Sequence, residues 1–463
     1  MKLTIERGRS ILQKIWQIAA ELNMTVYAVG GFVRDLYLGK EGVDIDFVVL
    51  GDALTFARVF SRRFHSGKVV TFPRFGTAML QYRDFRLEFV SARQEHYEAD
   101  SRKPEVKRAD LHSDLSRRDF TINTLAMDIG PENFGEVTDI YNGIADIDRR
   151  LIRTPLEPVT TFRDDPLRIL RALRFASVLN FKIEEKTLQG VKRTRERLQI
   201  ISQERISEEF KKMMMTPRPS VALELLKETG ILPFVLPELE DLAGVEQRKD
   251  FHHKDVYLHT LKVLDNIAGK TEKFELRLAA LLHDIAKPQT KRFDQEVGWT
   301  FHGHEELGAH MSERILRRMR FPLNVMKYVR KLVRLHLRPM QLVDEAVTDS
   351  AVRRLMLEAG EDLEDLMKLC RADITSHNPR RVRQYLNNFD LVEEKMKEVE
   401  EKDKIRNFKP AIDGNEIMEI LNIPPGPAVG KIKQAVTDAI LDGKIPNEHE
   451  ACLQYMISVK DQL

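Results

Sequence analysis

Along the first 150 positions, apolar residues follow two different periods. Short runs at 26–29, 45–50 and 77–80 have the length and β-branched content of strands, and Arg86-Leu87-Glu88-Phe89-Val90 reads as a further strand. Helical stretches lie between them, beginning with residues 1–16, whose apolar positions fall on one helical face. The mixture predicts an α+β head with a mixed sheet over residues 1–150. After the punctuation by Pro155 and Pro158, apolar positions recur near every 3.6 residues and strand signals nearly vanish. An elongated all-helical remainder is therefore expected. Breakers at Thr216-Pro217-Arg218-Pro219, Leu232-Pro233, Leu236-Pro237 and Pro424-Pro425-Gly426-Pro427 help divide it into 151–215, 216–250, 251–375 and 376–463.

Composition narrows the class. A chain of 463 residues exceeds what one core usually holds, which predicts two to four domains. With 42% apolar and 32% charged residues and no apolar run of about 18, no transmembrane helix is expected. The start lacks a signal-peptide pattern, so a cytoplasmic protein is expected. Cys370 and Cys452 fit neither a disulfide framework nor a zinc pattern, and read as buried thiols. With 74 basic and 72 acidic side chains the net charge is +2, so contact with nucleic acid must come from local patches. Residues 102–108, Lys192 to Arg197, and Arg380-Arg381-Val382-Arg383 qualify, although each alone reads more readily as a solvated helix face.

The strongest local chemistry is Val29-Gly30-Gly31-Phe32-Val33-Arg34-Asp35, followed by Asp44-Ile45-Asp46. Paired glycines let backbone N–H groups approach phosphate, and Arg34 can neutralise its oxygens. Residues i and i+2 of a strand share a face, so Asp44 and Asp46 can hold Mg²⁺ together. Such ions activate an attacking 3′-hydroxyl and steady leaving pyrophosphate in phosphoryl transfer. Glu88 is a candidate third carboxylate; a surface charge is the equal alternative.

Two arginine-rich stretches follow. Ser116-Arg117-Arg118-Asp119 resembles a capping box and predicts an amphipathic helix through Met127, whose N-terminal arginines ask for an anion. Asp164-Asp165-Pro166-Leu167-Arg168 continues with Arg171 and Arg174 at three-residue spacing, with Leu167, Leu170, Leu173 and Phe175 anchoring the other side. Asp165 and Arg168 offer acceptor and donor edges that could read a base.

These residues resemble the class II tRNA nucleotidyltransferase and bacterial poly(A) polymerase family, of the polymerase-beta-like superfamily. The resemblance implies that the triphosphate-binding glycine pair and arginine fall on Gly31 and Arg34, that Asp44 and Asp46 bind Mg²⁺, and that Arg118 contacts the nucleotide; Gly30 and Glu88 stay candidates on their own residue patterns. It implies base selection by Asp165 and Arg168 with Arg171 and Arg174 in support. Asp164 stands where the family has glutamate. Thr138-Asp139-Ile140-Tyr141-Asn142-Gly143 with Asp146 resembles the hinge between head and neck, and Glu204-Arg205-Ile206-Ser207-Glu208-Glu209 a helix bracing the neck. By the same likeness, 411–447 contacts tRNA.

A second constellation comprises His259, His283-Asp284, His304, His336 and Asp373, ligand types that suit a divalent metal. Leu282-His283-Asp284-Ile285-Ala286-Lys287-Pro288 resembles the HD phosphohydrolase motif. That resemblance implies a first ion (Mg, Mn, Ni or similar) on His259, His283, Asp284 and Asp373, with His304 and His336 assisting a second; a helical module without turnover is the alternative. The expected function is CCA addition to tRNA from CTP and ATP, by a monomer or dimer away from membranes. A polymerase adding only A or only C, a poly(A) polymerase, an HD hydrolase and a non-enzymatic RNA-binding module are the competing classes. Poly(A) polymerases of the family tend to carry an extended basic tail, which is missing after Tyr455.

Overall fold

The computed structural model describes residues 1–96, 105–245, 255–296, 298–344, 348–376, 378–403 and 409–460. Two compact units result, 1–235 and 236–463.

In the first unit, strands β1 (Thr25–Val29), β2 (Asp44–Leu50), β3 (Val70–Phe72), β4 (Thr77–Tyr82) and β5 (Phe85–Ser91) precede a hairpin of β6 (Arg93–His96) and β7 (Glu105–Arg108). With β8 (Ala126–Asp128) and β9 (Val137–Thr138), the first five form a seven-stranded sheet in the order β3-β4-β5-β2-β1-β8-β9. Only β2 and β5 pair in parallel. Helix α1 (Arg9–Glu21) buries Ile11, Leu12, Ile15 and Ile18 at the spacing of one helical face. Helix α2 (Gly31–Tyr37) follows β1, and α3 (Ala53–Phe64) starts where the Asp52 carboxylate accepts from the amides of Leu54 and Thr55. Phe56 and Phe60 of α3 pack on Phe89, which stacks on Phe47 at 5.1 Å; all four are fully buried. Truncating any of them to alanine would cost roughly 3–5 kcal/mol, so this aromatic layer fixes the back of β2 and β5.

The unit continues with α4 (Leu111–Ser116), α5 (Gly143–Asp148), α6 (Pro158–Asp164), α7 (Leu167–Leu179), α8 (Glu185–Thr194), α9 (Gln203–Met214), α10 (Pro219–Glu228) and α11 (Leu232–Val235). Helix α7 packs against α9 and α10, and buries Leu167, Ile169, Leu170, Ala172, Leu173, Phe175 and Ala176.

Two expectations are corrected. Residues 116–127 do not form one amphipathic helix. Asp110, not Ser116, caps α4, and Ser116 ends it. Thr121–Asn123 make a single 3-10 turn, and Ala126 and Met127 enter the sheet, where pairing with β1 buries them more completely than an exposed helix would. Arg117 thus sits at a helix C-terminus, where the dipole favours a cation. The part beyond residue 150 also keeps some strand: β10 (Leu151–Ile152) pairs in parallel with β11 (Lys182–Ile183), and the second unit carries a hairpin of β12 (Arg292–Asp294) and β13 (Gly298–Thr300).

The second unit is otherwise helical among the described residues: α12 (Pro237–Glu240), α13 (Val256–Ala268), α14 (Phe274–Leu282), α15 (Lys287–Thr290), α16 (His304–Arg318), α17 (Leu323–Leu335), α18 (Arg338–Asp344), α19 (Asp349–Ala359), α20 (Leu363–Asp373), α21 (Pro379–Asp403), α22 (Gly414–Leu421), α23 (Pro427–Leu441) and α24 (His449–Val459). Helix α14 is apolar nearly all round and packs against α13, α17 and α20 as the central rod. Ile417, Val429, Ile432, Val436, Cys452 and Met456 form a separate small core for α22 to α24. Cys370 and Cys452 are both free and buried. No helix among the described residues is long and apolar enough to cross a membrane.

Candidate active site and metal centre

In the first unit, the turn from β1 into α2 places Gly30 at φ 72°, a left-handed value that favours glycine. A Cβ at Gly30 would stand 3.0 Å from Arg118 Nη1 and 3.7 Å from Asp46 Oδ2, so this glycine, Arg118 and the Asp46 carboxylate meet at one place. Asp46 is paired with Val29 on one side and Glu88 on the other, which sets the two carboxylates on neighbouring strands of one sheet face. Asp44 lies two residues away on that face, exposed, while Ile45 is fully buried. Burial raises the Asp46 carboxyl above its ordinary value, with Arg118 opposing and Asp44 adding. Burial and the Asp46 charge raise Glu88 in the same sense. A cation beside Asp46 would offset the burial of its carboxylate and the charges of Asp44 and Glu88 on the same face, which is how the donor set fits a divalent metal.

Arg34 is held rigidly. Its Nη1 donates to Asn123 Oδ1 at 2.7 Å, and its Nε and Nη2 donate to Asp35 at 2.9 and 3.0 Å. Arg117 and Arg118 both pair with the fully buried Asp114, at 2.5 and 3.1 Å. Burial would raise Asp114, yet the two guanidinium charges outweigh it and hold it below its ordinary value. Asp119 accepts from its neighbour's amide, from Asn123 Nδ2 at 3.0 Å and from Arg171 Nε at 2.7 Å. Against the upward push of burial, Arg171 and Asn123 bring Asp119 down to about 2. Asp119, Asn123 and Arg34 therefore form one chain from α7 to the glycine turn.

The arginines of α7 are engaged. Arg168 donates to the carbonyls of Arg117 at 2.6 Å and Thr161 at 3.4 Å. Arg174 pairs with Glu209 of α9 at 2.6 Å, so the stretch 204–209 does brace α7. Asp165 Oδ2 lies 3.3 Å from Arg205. The structure thus brings Gly30, Arg34, Asp46, Glu88 and Arg118 together, and ties Arg171 and Arg174 to protein carboxylates. The guanidiniums of Arg34, Arg171 and Arg174 lie 5.2, 5.4 and 4.2 Å from the Phe175 ring centre. Asp114, Asn123 and Phe175 as a guanidinium platform were missed in sequence. Asp114 could have been found, since it stands three and four residues before the two arginines on one helix. In the hinge stretch, Asp139 accepts from the amides of Gly143 and Ile144, and Asp146 accepts from Thr121 and Arg153.

Among the basic patches, Arg195 and Arg197 donate to the carbonyls of Thr229 and Arg163, whereas Arg380, Arg381 and Arg383 are exposed along α21. The side chains of 102–108 lie outside the described residues.

In the second unit, α14 ends at His283, which delivers His283 and Asp284 from the apolar core to the ligands of α13, α16, α17 and α20. His259, His283 and Asp373 form one group, and Asp284, His304 and His336 another, with ligand atoms within 4.8 Å of one another in each. Asp284 links them. Its Oδ2 is 3.5 Å from His259 Nε2 and 3.2 Å from His283 Nε2, and its Oδ1 is 3.5 Å from His304 Nε2 and 4.0 Å from His336 Nε2. Nδ1 of His283, His304 and His336 faces the carbonyls of Ala280, Phe301 and Val333 at 2.8, 2.7 and 2.6 Å. A carbonyl only accepts, so each Nδ1 carries hydrogen and each Nε2 is aimed inward, the orientation metal-ligating histidines need. His283 Nε2 is buried without a well-formed hydrogen bond. Burial works against a proton on His283, but Asp284 and Asp373 bring it up to about 10. Burial, with His283 and His304, pushes His336 down to about 3. A divalent cation would balance the two carboxylates in place of that proton and leave the imidazoles neutral, so the donor set fits a metal. A cavity of about 650 Å³, lined by His259, Lys287, His304 and Asp373 among others, opens onto this centre.

A glycine turn and a carboxylate row on a mixed sheet define a nucleotidyltransferase head, and residues 26–153 match the poly A polymerase head domain family. Residues 180–242 match the family described as the probable RNA and SrmB-binding site of polymerase A, and 256–378 match the HD domain. The chain is 32% identical over 435 residues to the CC-adding tRNA nucleotidyltransferase of Thermus thermophilus, covering 92% of each. It is 30% identical to the CCA-adding enzyme of Bacillus velezensis over 93% of each. A solved tRNA nucleotidyltransferase in complex with a primer tRNA and an incoming ATP analogue is 28% identical, with a TM-score of 0.58, covering 82% of this chain and 99% of that one. The chain belongs to the tRNA nucleotidyltransferase family.

Proposed function

We propose that this enzyme adds CMP, CMP and AMP units from CTP and ATP to the 3′ end of tRNA without a nucleic-acid template. The observation that carries the reading is the register of Asp46 beside Glu88, with Asp44 on the same face and the Gly30 turn against Asp46. Asp44 and Asp46, with Glu88, hold Mg²⁺. When bound, that metal supplies activation of the 3′-hydroxyl and charge neutralisation at the triphosphate. The Gly30-Gly31 turn, Arg34 and Arg118 hold the phosphates in line, as the 3′-oxygen bonds the α-phosphorus, its bond to pyrophosphate breaks and the hydroxyl proton passes to solvent. Asp165 and Arg168 present the base-reading edges. Reading by Arg168 requires exchange of its longer bond, to Thr161, for one to the base. Arg171 and Arg174 act as positioning residues that fix α7 through Asp119 and Glu209.

The deciding experiment extends tRNA transcripts lacking A, CA or CCA with CTP, ATP or both, in Mg²⁺. Complete CCA on the shortest transcript is expected. Extension by C alone, by A alone or by long A tracts would replace the reading with the corresponding specialist or with a poly(A) polymerase. Asp165→Ala is expected to relax the choice between CTP and ATP by roughly tenfold, the worth of one lost base contact. Unchanged selectivity would remove base reading from Asp165.

The convergent imidazoles and carboxylates of the second unit favour an additional phosphoester hydrolase activity. There a divalent cation supplies Lewis acidity at a phosphoester. Water's oxygen forms the new bond to phosphorus, the ester bond breaks, and the alcohol leaves with a proton. Release of product from a 2′,3′-cyclic or chromogenic phosphoester in Mg²⁺, Mn²⁺ or Ni²⁺ tests it; no release with any of them rules it out.

A further inference from the structure

From the walls of the cavity over the second unit's metal centre, we infer that Trp299 is a stacking platform for a nucleobase, so that the site takes nucleoside phosphates in preference to base-free phosphoesters. The inference rests on the hydrolase reading for its chemistry and on three observations for its geometry. First, the cavity wall combines two chemistries: the metal-ligand types His259, His304 and Asp373, and the aromatic rings of Trp299, Phe301 and Tyr385. A volume of about 650 Å³ is far more than a phosphate group needs and lies within the range of pockets that enclose a drug-sized ligand.

Second, Trp299 is braced by its neighbours. Phe293 meets its ring edge-to-face at 5.0 Å, and Lys291 Nζ lies 4.2 Å from the ring centre. Neither Phe293 nor Lys291 lines the cavity, whereas Trp299 does. An indole already braced by neighbours loses little conformational freedom when a planar ring stacks on it, which is what makes such stacks effective. Third, the indole is carried on β13, paired residue by residue with β12, and not on a helix of the core. The apolar stability of the helical bundle does not require it, since Trp299 is only half-buried and Phe293 and Lys291, which meet its ring, are on the same hairpin or beside it.

The chain has two tryptophans, Trp16 and Trp299, which makes the test direct. In a Trp16→Phe background Trp299 is the only indole. Titration of the metal-free full chain with adenosine 2′,3′-cyclic phosphate and with ribose 5-phosphate is expected to quench Trp299 emission saturably with the first and not with the second. In the metal-loaded enzyme, Trp299→Ala is expected to raise KM for the cyclic nucleotide roughly ten- to a hundredfold, the loss of one base–aromatic stack, while Trp299→Phe raises it much less. Hydrolysis of a base-free phosphoester should fall far less than that of the cyclic nucleotide in Trp299→Ala. Equal quenching by ribose 5-phosphate, or equal losses on base-containing and base-free substrates, would overturn the platform and leave the hydrolase reading standing. Base-dependent quenching with no hydrolysis in any metal would leave the platform standing and remove the hydrolase.

Discussion

Asp46→Asn is expected to abolish nucleotide addition, lowering its rate by at least about a thousandfold, while leaving the first unit as stable as before or more so. The two halves of this expectation have one cause. Asp46 and Glu88 lie in register on adjacent strands, and burial raises both carboxyls above their ordinary values, with the Asp44 charge adding at Asp46 and the Asp46 charge adding at Glu88. A carboxyl whose folded value is raised opposes folding once it ionises, because the unfolded chain releases that proton more readily. Asparagine keeps the shape, removes the charge and so relieves the strain. The same charge is what a divalent metal needs for attachment, so stability and activity pull in opposite directions at this position. Single-turnover extension of tRNA with CTP, beside thermal unfolding in EDTA, measures both. Activity within tenfold of the parent, or a lowered melting temperature in EDTA, would refute the assignment of Asp46.

Alternation over a strand is a local property, which is why Asp44 and Asp46 could be placed on one face from sequence and why β1, β2, β4 and β5 fell where the apolar runs are. Glu88 was harder. Its partnership with Asp46 depends on the parallel pairing of β2 and β5, a contact between segments some forty residues apart that no period encodes. The arginines of α7 were legible as a stripe because helical spacing is local, but their partners Asp119 and Glu209 come from elsewhere in the chain. At 116–127 local signals misled: a Ser-x-x-Asp pattern looked like a helix start, while the preceding Asp110 and the sheet edge beside β1 determined the outcome. The short strands beyond residue 150, of two or three residues each, are below what any periodicity can reveal. In the second unit the ligands were recognisable as residue types, yet the inward aim of each Nε2 follows from backbone carbonyls that only the folded chain supplies.

Asp119→Asn is expected to destabilise the first unit by about 2 kcal/mol near neutral pH, with the loss shrinking as the solution is acidified. Asp119 is buried, pairs with Arg171 Nη2 at 2.5 Å and is held at about 2 against an ordinary value of 3.8. Because the folded value is depressed, the stabilisation is complete above the ordinary value and disappears as pH falls from about 4 through about 2. Arg171 keeps 34% of its side-chain exposure, so solvent screens it and the loss stays below the larger cost of stranding a wholly buried partner. Urea unfolding followed by Trp16 emission in a Trp299→Phe background isolates this unit. A gap between the parent and Asp119→Asn that is large at pH 7, roughly halved at about pH 3 and small only below about pH 2 is expected, and a gap independent of pH would exclude the ion pair as its source. Asn123, oriented by the Asp119 carboxylate through its Nδ2, presents its Oδ1 to Arg34 at 2.7 Å. An asparagine at 119 can still accept that hydrogen bond but cannot hold Arg171, so Arg34 is expected to keep its place while α7 loosens, and the parent's choice between CTP and ATP should weaken more than its affinity for triphosphate.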